Sequence, residues 1–189
     1  MALKFERRSG ETAISLVFDP APGKIEINTP SGFFGHMLEL MAHNAGWSLS
    51  LQASGDTDVD FHHLVEDTGI VLGKALLELY PSSPRKRYGW CAMPMDGSLV
   101  LVAVDLSGRG VCIFRGSFPS SSCGNFDMEL VPEFLRALSR EAKAAIHVRI
   151  IESDNSHHTS EAIFKGIGRA MAQALTVGEI NPSTKNIWP

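Results

Sequence analysis

The sequence predicts an α+β fold made of duplicated halves, each a small sheet with helices on one face. Short segments with strand-like alternation are followed by longer segments with helical periodicity. The string HHLVED at His62 returns as HHTSEA at His157, 95 residues later. Superposing the two strings aligns further small residues, Gly73 with Gly168 and Ala75 with Ala170. Coincidence between two short strings is the alternative, but the surrounding elements also match in order.

In the first half, the pattern of apolar residues predicts three strands and two helices. The strands are expected at 13–18, 24–28 and 47–53, where apolar residues alternate or form short runs. The first helix is expected over 34–46, from its helix-period apolar positions. The second is expected over 62–80 and ends before the PSSP segment, because proline cannot continue a helix.

The second half repeats this order with lower sequence identity. Strands are predicted at 91–95, 99–106, 111–114 and 146–151, and helices at 129–145 and 157–175. We therefore divide the chain into half-repeats at 1–88 and 89–189, which together form one functional unit.

Composition and charge exclude several classes of function. The 189 residues carry a net charge of −4 with acids and bases interspersed, so no basic face is available for nucleic acid or an anionic membrane. A small substrate is favoured instead. Cys91, Cys112 and Cys123 share no CxxC spacing and are odd in number, which argues against a disulfide framework or a zinc ribbon. With no export signal or apolar span in the sequence, we expect a cytoplasmic protein.

Each HHxxE motif places three possible metal ligands on the first turns of a helix. Glu66 lies four residues after His62 and three after His63, so the three side chains can converge. Neighbouring histidines point about 100° apart around a helix, which suits two ions sharing a carboxylate better than one ion. Imidazole and carboxylate without thiolate are typical of catalytic manganese, iron or zinc sites. A polar helix cap is the alternative for one copy, but a second copy favours metal. That copy consists of His157, His158 and Glu161.

Three further histidines are ambiguous from their own surroundings. His147 lies alone in the strand AIHVRII, where a metal ligand and a hydrogen-bonded strand histidine are equally compatible with the pattern. His36 and His43 lie seven residues apart on one face of a predicted helix. That spacing fits an active-site wall and equally fits one core histidine with one surface histidine.

An ordered set of strings covering nearly the whole chain resembles the imidazoleglycerol-phosphate dehydratase family of histidine biosynthesis. The strings are RRSGET, GHMLELMAH, HHLVEDTGIVLG, RYGWCAMPMD, DLSGR, NSHHTSEAIFKGIGRA and PSTK. The resemblance implies duplicated ribosomal-protein-S5-domain-2-like halves, with two Mn²⁺ ions per active site. It also implies a small phosphorylated imidazole substrate and a homo-oligomer, a 24-mer built from trimers.

The family's functional residues carry over onto matching positions. Its metal ligands fall on His36, His62, His63, Glu66, His147, His157, His158 and Glu161. Its substrate contacts fall on Glu11, Arg87, Arg109, Ser183 and Lys185. A solvated surface charge is the alternative for each arginine from the sequence alone. Asp67 is expected to orient a ligating imidazole, with His43 in a supporting role.

The chain departs from the family at two glycines. Gly35 replaces the aspartate of the family's FLDHM string, which puts a hydrogen bond to a ligating histidine in doubt. Gly97 replaces the acid of PMDEA, which puts local packing or substrate orientation in doubt.

The resemblance implies dehydration of D-erythro-imidazole-glycerol phosphate to imidazole-acetol phosphate, which requires removal of a weakly acidic C–H. If both ring nitrogens bind divalent ions, the ring is held as imidazolate and can expel the adjacent hydroxyl, giving a diazafulvene-like intermediate. Glu11 is a candidate for the proton transfers, with Glu66 and Glu161 as alternatives. A di-metal hydrolase and a non-catalytic metal-binding assembly protein are the competing functions. The first usually has Asp-rich ligand sets, and the second has no need of phosphate contacts.

Overall fold

The first half of the chain forms a four-stranded sheet. The structure is a computed structural model that describes residues 2–80 and 84–178. The strands are β1 (Leu3–Arg8), β2 (Thr12–Asp19), β3 (Ile25–Asn28) and β4 (Ser48–Gly55). Their spatial order is β1-β2-β4-β3. Strand β2 pairs antiparallel with both β1 and β4, whereas β3 runs parallel to β4 at the edge of the sheet.

The main sheet of the second half repeats this topology, and a short additional strand pair lies beside it in the chain order. Its strands are β5 (Tyr88–Met95), β6 (Ser98–Asp105), β7 (Val111–Arg115), the short pair β8 (Ser122–Cys123) and β9 (Phe126–Asp127), and β10 (Ala145–Glu152). The main sheet has the order β5-β6-β10-β7, again with one parallel pair at the β7 edge. The matching topology confirms the predicted duplication. The division of the chain at residue 88 stays a prediction.

Within residues 2–80 and 84–178, four helices lie between the two sheets. They are α1 (Gly32–Ala45), α2 (His62–Leu77), α3 (Leu130–Ala142) and α4 (Ser156–Leu175). Helices α1 and α2 cover the first sheet, and α3 and α4 cover the second. Across the middle, α1 packs on α4 and α2 packs on α3. Each sheet therefore has helices on one face, as predicted. Among residues 2–80 and 84–178, no helix is both long and apolar enough to cross a membrane.

The aligned glycines of the two halves have the same packing role. A Cβ atom on Gly73 would lie 2.8 Å from the carbonyl oxygen of Leu138, where α2 crosses α3. A Cβ atom on Gly168 would lie 2.2 Å from the carbonyl oxygen of Met41, where α4 crosses α1. Both crossings thus depend on a missing side chain, because packed interiors leave no room for an extra carbon.

The structure differs from the sequence prediction in a few elements. Strand β1 and the β8–β9 pair were not predicted. Helix α2 ends at Leu77, short of the predicted end at 80, and the chain turns so that the buried Tyr80 hydroxyl donates to the carbonyl oxygen of Ala142 at 2.6 Å. Helix α3 also ends early, because Lys143 adopts a left-handed conformation with φ 48° and starts the connection to β10.

Candidate metal centre and active site

The start of α4 presents the second HHxxE motif. Asn155 caps the helix: its side-chain oxygen accepts from the backbone N–H of His158 at 2.8 Å. One turn later Glu161 faces back toward His157, and His157 Nε2 lies 3.0 Å from Glu161 Oε1. Of the three side chains predicted to converge at this motif, His157 and Glu161 therefore meet, whereas His158 contacts Asn155 and Asp154.

A third donor comes from α1, because α1 packs on α4. His36 Nε2 lies 3.6 Å from Glu161 Oε1. Donor atoms of His36, His157 and Glu161 all lie within 4.8 Å of one another, and no other such group occurs among the described residues. The histidine side chains are 45% and 48% exposed, whereas Glu161 is buried. Two imidazoles and one carboxylate without thiolate fit a divalent cation, and the exposed side leaves room for further ligands.

Glu161 is held by more than its histidines. Lys165 Nζ, one turn further along α4, donates to Glu161 Oε2 at 2.6 Å. Burial alone would raise the pKa of Glu161, but the bonds from Lys165 and His157 outweigh it and lower the pKa. The sequence reasoning missed Lys165. Its spacing of four residues from Glu161 was the available signal.

The first HHxxE motif is arranged differently within the chain. The backbone N–H of His62 donates to the carboxylate of Asp60 at 2.6 Å, which helps to start α2. Glu66 points toward α3, where Arg140 donates to Glu66 Oε1 at 3.2 Å. The side chain of Glu66 is thus paired with an arginine and not with its neighbouring histidines. The ligand roles of His62, His63 and Glu66 stay predictions.

The second histidine of each pair has a carboxylate from the preceding loop beside its Nδ1 atom. His63 Nδ1 lies 3.0 Å from Asp56 Oδ2, and this hydrogen bond is the main reason that the pKa of His63 is raised. A carboxylate on one ring nitrogen leaves the other free to ligate a metal. His158 Nδ1 lies 3.4 Å from Asp154 Oδ2 but only 2.7 Å from the side-chain amide nitrogen of Asn155, so its main partner is the residue that caps α4. Neither aspartate was predicted to lie beside these rings.

Gly97, one of the two glycines at which the sequence differs from the family strings, makes room for the carboxylate of Asp154. A Cβ atom on Gly97 would lie 2.8 Å from Asp154 Oδ2. Asp154 also accepts from the hydroxyl of Ser98 at 2.6 Å, which is the main cause of its lowered pKa. The glycine therefore lets Asp154 approach the strand turn beside His158. A Cβ atom on Gly35, the other departure, would lie 3.1 Å from Thr29 Cγ2.

His147 lies on the opposite face of the second sheet from the helices. Its neighbours in β10, Ile146 and Val148, point into the core, whereas His147 is exposed. It lines a shallow cavity on the outer face with Ile113 and Arg149 among others, and none of the other predicted ligands lines that cavity. Within one chain, His147 is therefore separated by the sheet from the ligands on α1 and α4.

The predicted substrate contacts are scattered within one chain. Glu11 lies in the β1–β2 turn with its side chain 57% exposed, and its Oε2 is 3.9 Å from His63 Nδ1. Arg87 pairs with Asp105, with Nε 2.6 Å from Oδ1, and this bond raises the pKa of Arg87. Arg109 is exposed in the turn after β6. Ser183 and Lys185 lie outside the described residues.

Two residues with predicted supporting roles are also located. The carboxylate of Asp67 contacts Thr12 and Arg7, not an imidazole, so the expected orienting role is not observed in the chain. His43 lines an open cavity along α1 together with His36 and Glu39.

Comparisons with known proteins give consistent matches over nearly the whole chain. A family model described as imidazoleglycerol-phosphate dehydratase matches residues 29–171. Curated imidazoleglycerol-phosphate dehydratases from Clostridium novyi and Desulforamulus reducens are each 44% identical, and the matches cover 92% and 97% of this chain and 89% and 96% of those proteins.

Solved structures agree with the sequence matches. The crystal structure of the imidazoleglycerol-phosphate dehydratase from Staphylococcus aureus superposes with a TM-score of 0.86 at 38% identity, covering 94% of this chain and all of that one. The Pyrococcus furiosus enzyme in complex with (S)-C348 superposes with a TM-score of 0.87 at 36% identity, covering 97% and 99%.

The shared fold, the histidine and glutamate cluster and these matches define the chain as a lyase, an enzyme that eliminates water from its substrate. It belongs to the imidazoleglycerol-phosphate dehydratase family of histidine biosynthesis.

Proposed function

We propose that this chain dehydrates D-erythro-imidazole-glycerol phosphate to imidazole-acetol phosphate, using two Mn²⁺ ions per active site. The observation that carries the proposal is the cluster of His36, His157 and Glu161 in a member of this lyase family. These three residues would hold one ion. The predicted ligands His62, His63, Glu66, His147 and His158 would complete that site and hold the second ion.

The bound ions would supply Lewis acidity that favours the anionic form of the substrate imidazole. The chain's own residues would then position the rest of the substrate and move protons. Among the candidate bases, Glu161 is engaged by Lys165 and His157, and Glu66 is engaged by Arg140. Glu11 keeps an exposed carboxylate beside His63, so it is the proposed proton carrier. The diazafulvene-like intermediate stays a prediction.

The phosphate of the substrate would be bound by cationic and hydroxyl groups. Arg109 has an exposed guanidinium, which suits an anionic ligand. Arg87 is already paired with Asp105, so it would bind phosphate through its remaining donors. Ser183 and Lys185 are proposed as further contacts.

The position of His147 supports an active site shared between subunits. Since the second sheet separates His147 from His36 and His157, it can ligate the same ions only in a neighbouring copy of the chain. This supports a homo-oligomer in which the metal sites lie between subunits, and we propose the 24-mer built from trimers that the family resemblance implies.

Metal replacement with matched variants tests the proposal. The purified protein is stripped of metal, reloaded with Mn²⁺, and assayed for imidazole-acetol phosphate and for released inorganic phosphate. We expect ketone formation only with metal, no phosphate release, and loss of bound manganese in Glu161→Gln. Glu133→Gln is the control, because Glu133 makes an exposed pair with Arg136 on α3. Phosphate release without ketone formation would indicate a hydrolase, and metal binding without turnover would indicate a non-catalytic protein.

A further inference from the structure

Asp67 is a buried carboxylate that directly follows Glu66 on α2, and its contacts lie in the β1–β2 hairpin. It is only 5% exposed. Its Oδ2 accepts a short hydrogen bond from the hydroxyl of Thr12, which is 4% exposed. Its Oδ1 lies 2.8 Å from the buried Nε of Arg7, without the alignment of a hydrogen bond. A buried carboxylate requires such partners, so this cluster ties α2 to the hairpin.

The same hydroxyl group is linked to the turn that carries Glu11. Thr12 Oγ1 gives its one hydrogen to Asp67, so at 3.3 Å it accepts from the hydroxyl of Ser9. Ser9 Oγ in turn accepts from the backbone N–H groups of Glu11 at 3.2 Å and Thr12 at 3.0 Å. A chain of hydrogen bonds therefore runs from Asp67 through Thr12 and Ser9 to the backbone of Glu11.

The other side of the turn is held by the loop before α2. The backbone N–H of Asp56 donates to the carbonyl oxygen of Glu11 at 3.0 Å. The carboxylate of Asp56 also contacts His63 Nδ1. The Glu11 backbone is thus held by the loop before α2 and, through Ser9 and Thr12, by Asp67 on α2. The exposed Glu11 carboxylate lies with its Oε2 3.9 Å from His63 Nδ1.

We infer that Asp67, through Thr12, is a positioning residue for the Glu11 carboxylate. This inference rests on the proposed function, in which Glu11 carries a proton. The helix that offers His63 also anchors the turn that offers Glu11, because Asp67 lies one helical turn beyond His63. Reacting groups must be held closely, and a displacement of about 1 Å can cost on the order of 100-fold in rate.

A double-mutant cycle tests the inference. Thr12→Val keeps the shape of the side chain and removes the hydroxyl, and we expect kcat to fall about 10-fold or more with manganese content unchanged. In a Glu11→Gln background the same change should lower kcat less than about 2-fold, because the group being positioned is already inactive. Thr12→Ser, which keeps the hydroxyl, should restore kcat, and Asp67→Ala, which removes the acceptor of the Thr12 hydroxyl, should behave like Thr12→Val.

Thr68→Val is the matched control, because Thr68 is a buried α2 threonine whose hydroxyl donates only to the carbonyl oxygen of Leu64 in its own helix. A second measurement, amide hydrogen exchange of residues 9–12, should be faster in Thr12→Val and unchanged in Thr68→Val. Equal losses of kcat in both Glu11 backgrounds, or no loss in either, would overturn the inference. Absence of dehydratase turnover in the unmutated, manganese-loaded protein would instead overturn the proposed function, and this inference with it.

Discussion

Substituting Gly168 by alanine should weaken the α1–α4 crossing that brings His36 to His157 and Glu161. The new Cβ atom would lie 2.2 Å from the carbonyl oxygen of Met41. Reaching ordinary contact requires the helices to separate by about 1 Å, and such overpacking typically costs about 1–3 kcal/mol. Alanine regains about 1 kcal/mol of helix propensity. Because the atom that the new Cβ meets is a backbone oxygen, which cannot rotate away, the cost lies at the upper end of that range, about 2–3 kcal/mol. We therefore expect a net loss of about 1–2 kcal/mol, and a fall in Tm of about 2–8 °C for a chain of this size.

The assay is thermal unfolding at fixed protein and metal concentration, followed by titration of the stripped protein with Mn²⁺. Because His36 and Glu161 lie on the two helices that separate, manganese affinity should fall about 10-fold, as when a supporting contact of a metal site is lost. Gly32→Ala is the control. Gly32 is the first residue of α1, one of the two crossing helices, but a Cβ atom added there would meet no atom within 4 Å. If both variants unfold at the same temperature and bind manganese equally, close approach of the helices is not what assembles the cluster.

Three further predictions concern metal, tail and core. Chelation of manganese, or the substitution His62→Ala, should shift the assembly toward smaller species, because a ligand that binds the assembled state stabilises it by mass action. Light scattering measures the particle mass, and an unchanged mass in both cases would exclude metal from the subunit interface. Removing the residues after Asn181 should raise the KM for the phosphorylated substrate and leave metal content unchanged, and unaltered kinetics would exclude the tail as a phosphate contact. Tyr80→Phe should lower the free energy of unfolding by about 1–2 kcal/mol, because it deprives the carbonyl oxygen of Ala142 of a buried donor. Chemical denaturation measures this free energy, and an unchanged value would mean that water replaces the hydroxyl.

Much of the fold could be predicted because its elements carry a clear period and occur twice. Strand β1 escaped prediction although its side chains alternate, since it is a charged edge strand paired only with β2. The β8–β9 strands have two residues each, too few to show any period. The turn after α2 places Tyr80 against Ala142, which is 62 residues away in sequence, so residues near the end of α2 could not reveal it. The end of α3 follows from the left-handed conformation of Lys143, which the sequence did not signal.

From residue patterns alone, the candidate site was predictable only where its residues are close in sequence, and His36 was named as a ligand through the family resemblance. His157 and Glu161 meet as their i, i+4 spacing predicts. His36 joins them only because α1 crosses α4, and the sequence carried no local signal of that crossing apart from a glycine. The pairing of Glu66 with Arg140 spans 74 residues, so helical spacing carried no signal of it, and the ligand role of Glu66 stays a prediction.

The turn between β5 and β6 shows how a residue without a side chain can influence a histidine that it does not contact. Gly97 has no need of a special backbone conformation, yet any side chain there would crowd Asp154, whose Oδ2 would lie 2.8 Å from the new Cβ. The two positions are therefore coupled: a side chain at position 97 would displace the carboxylate that contacts His158. The effect of a substitution at position 97 on His158 would thus pass through Asp154, and replacing Asp154 as well would remove it.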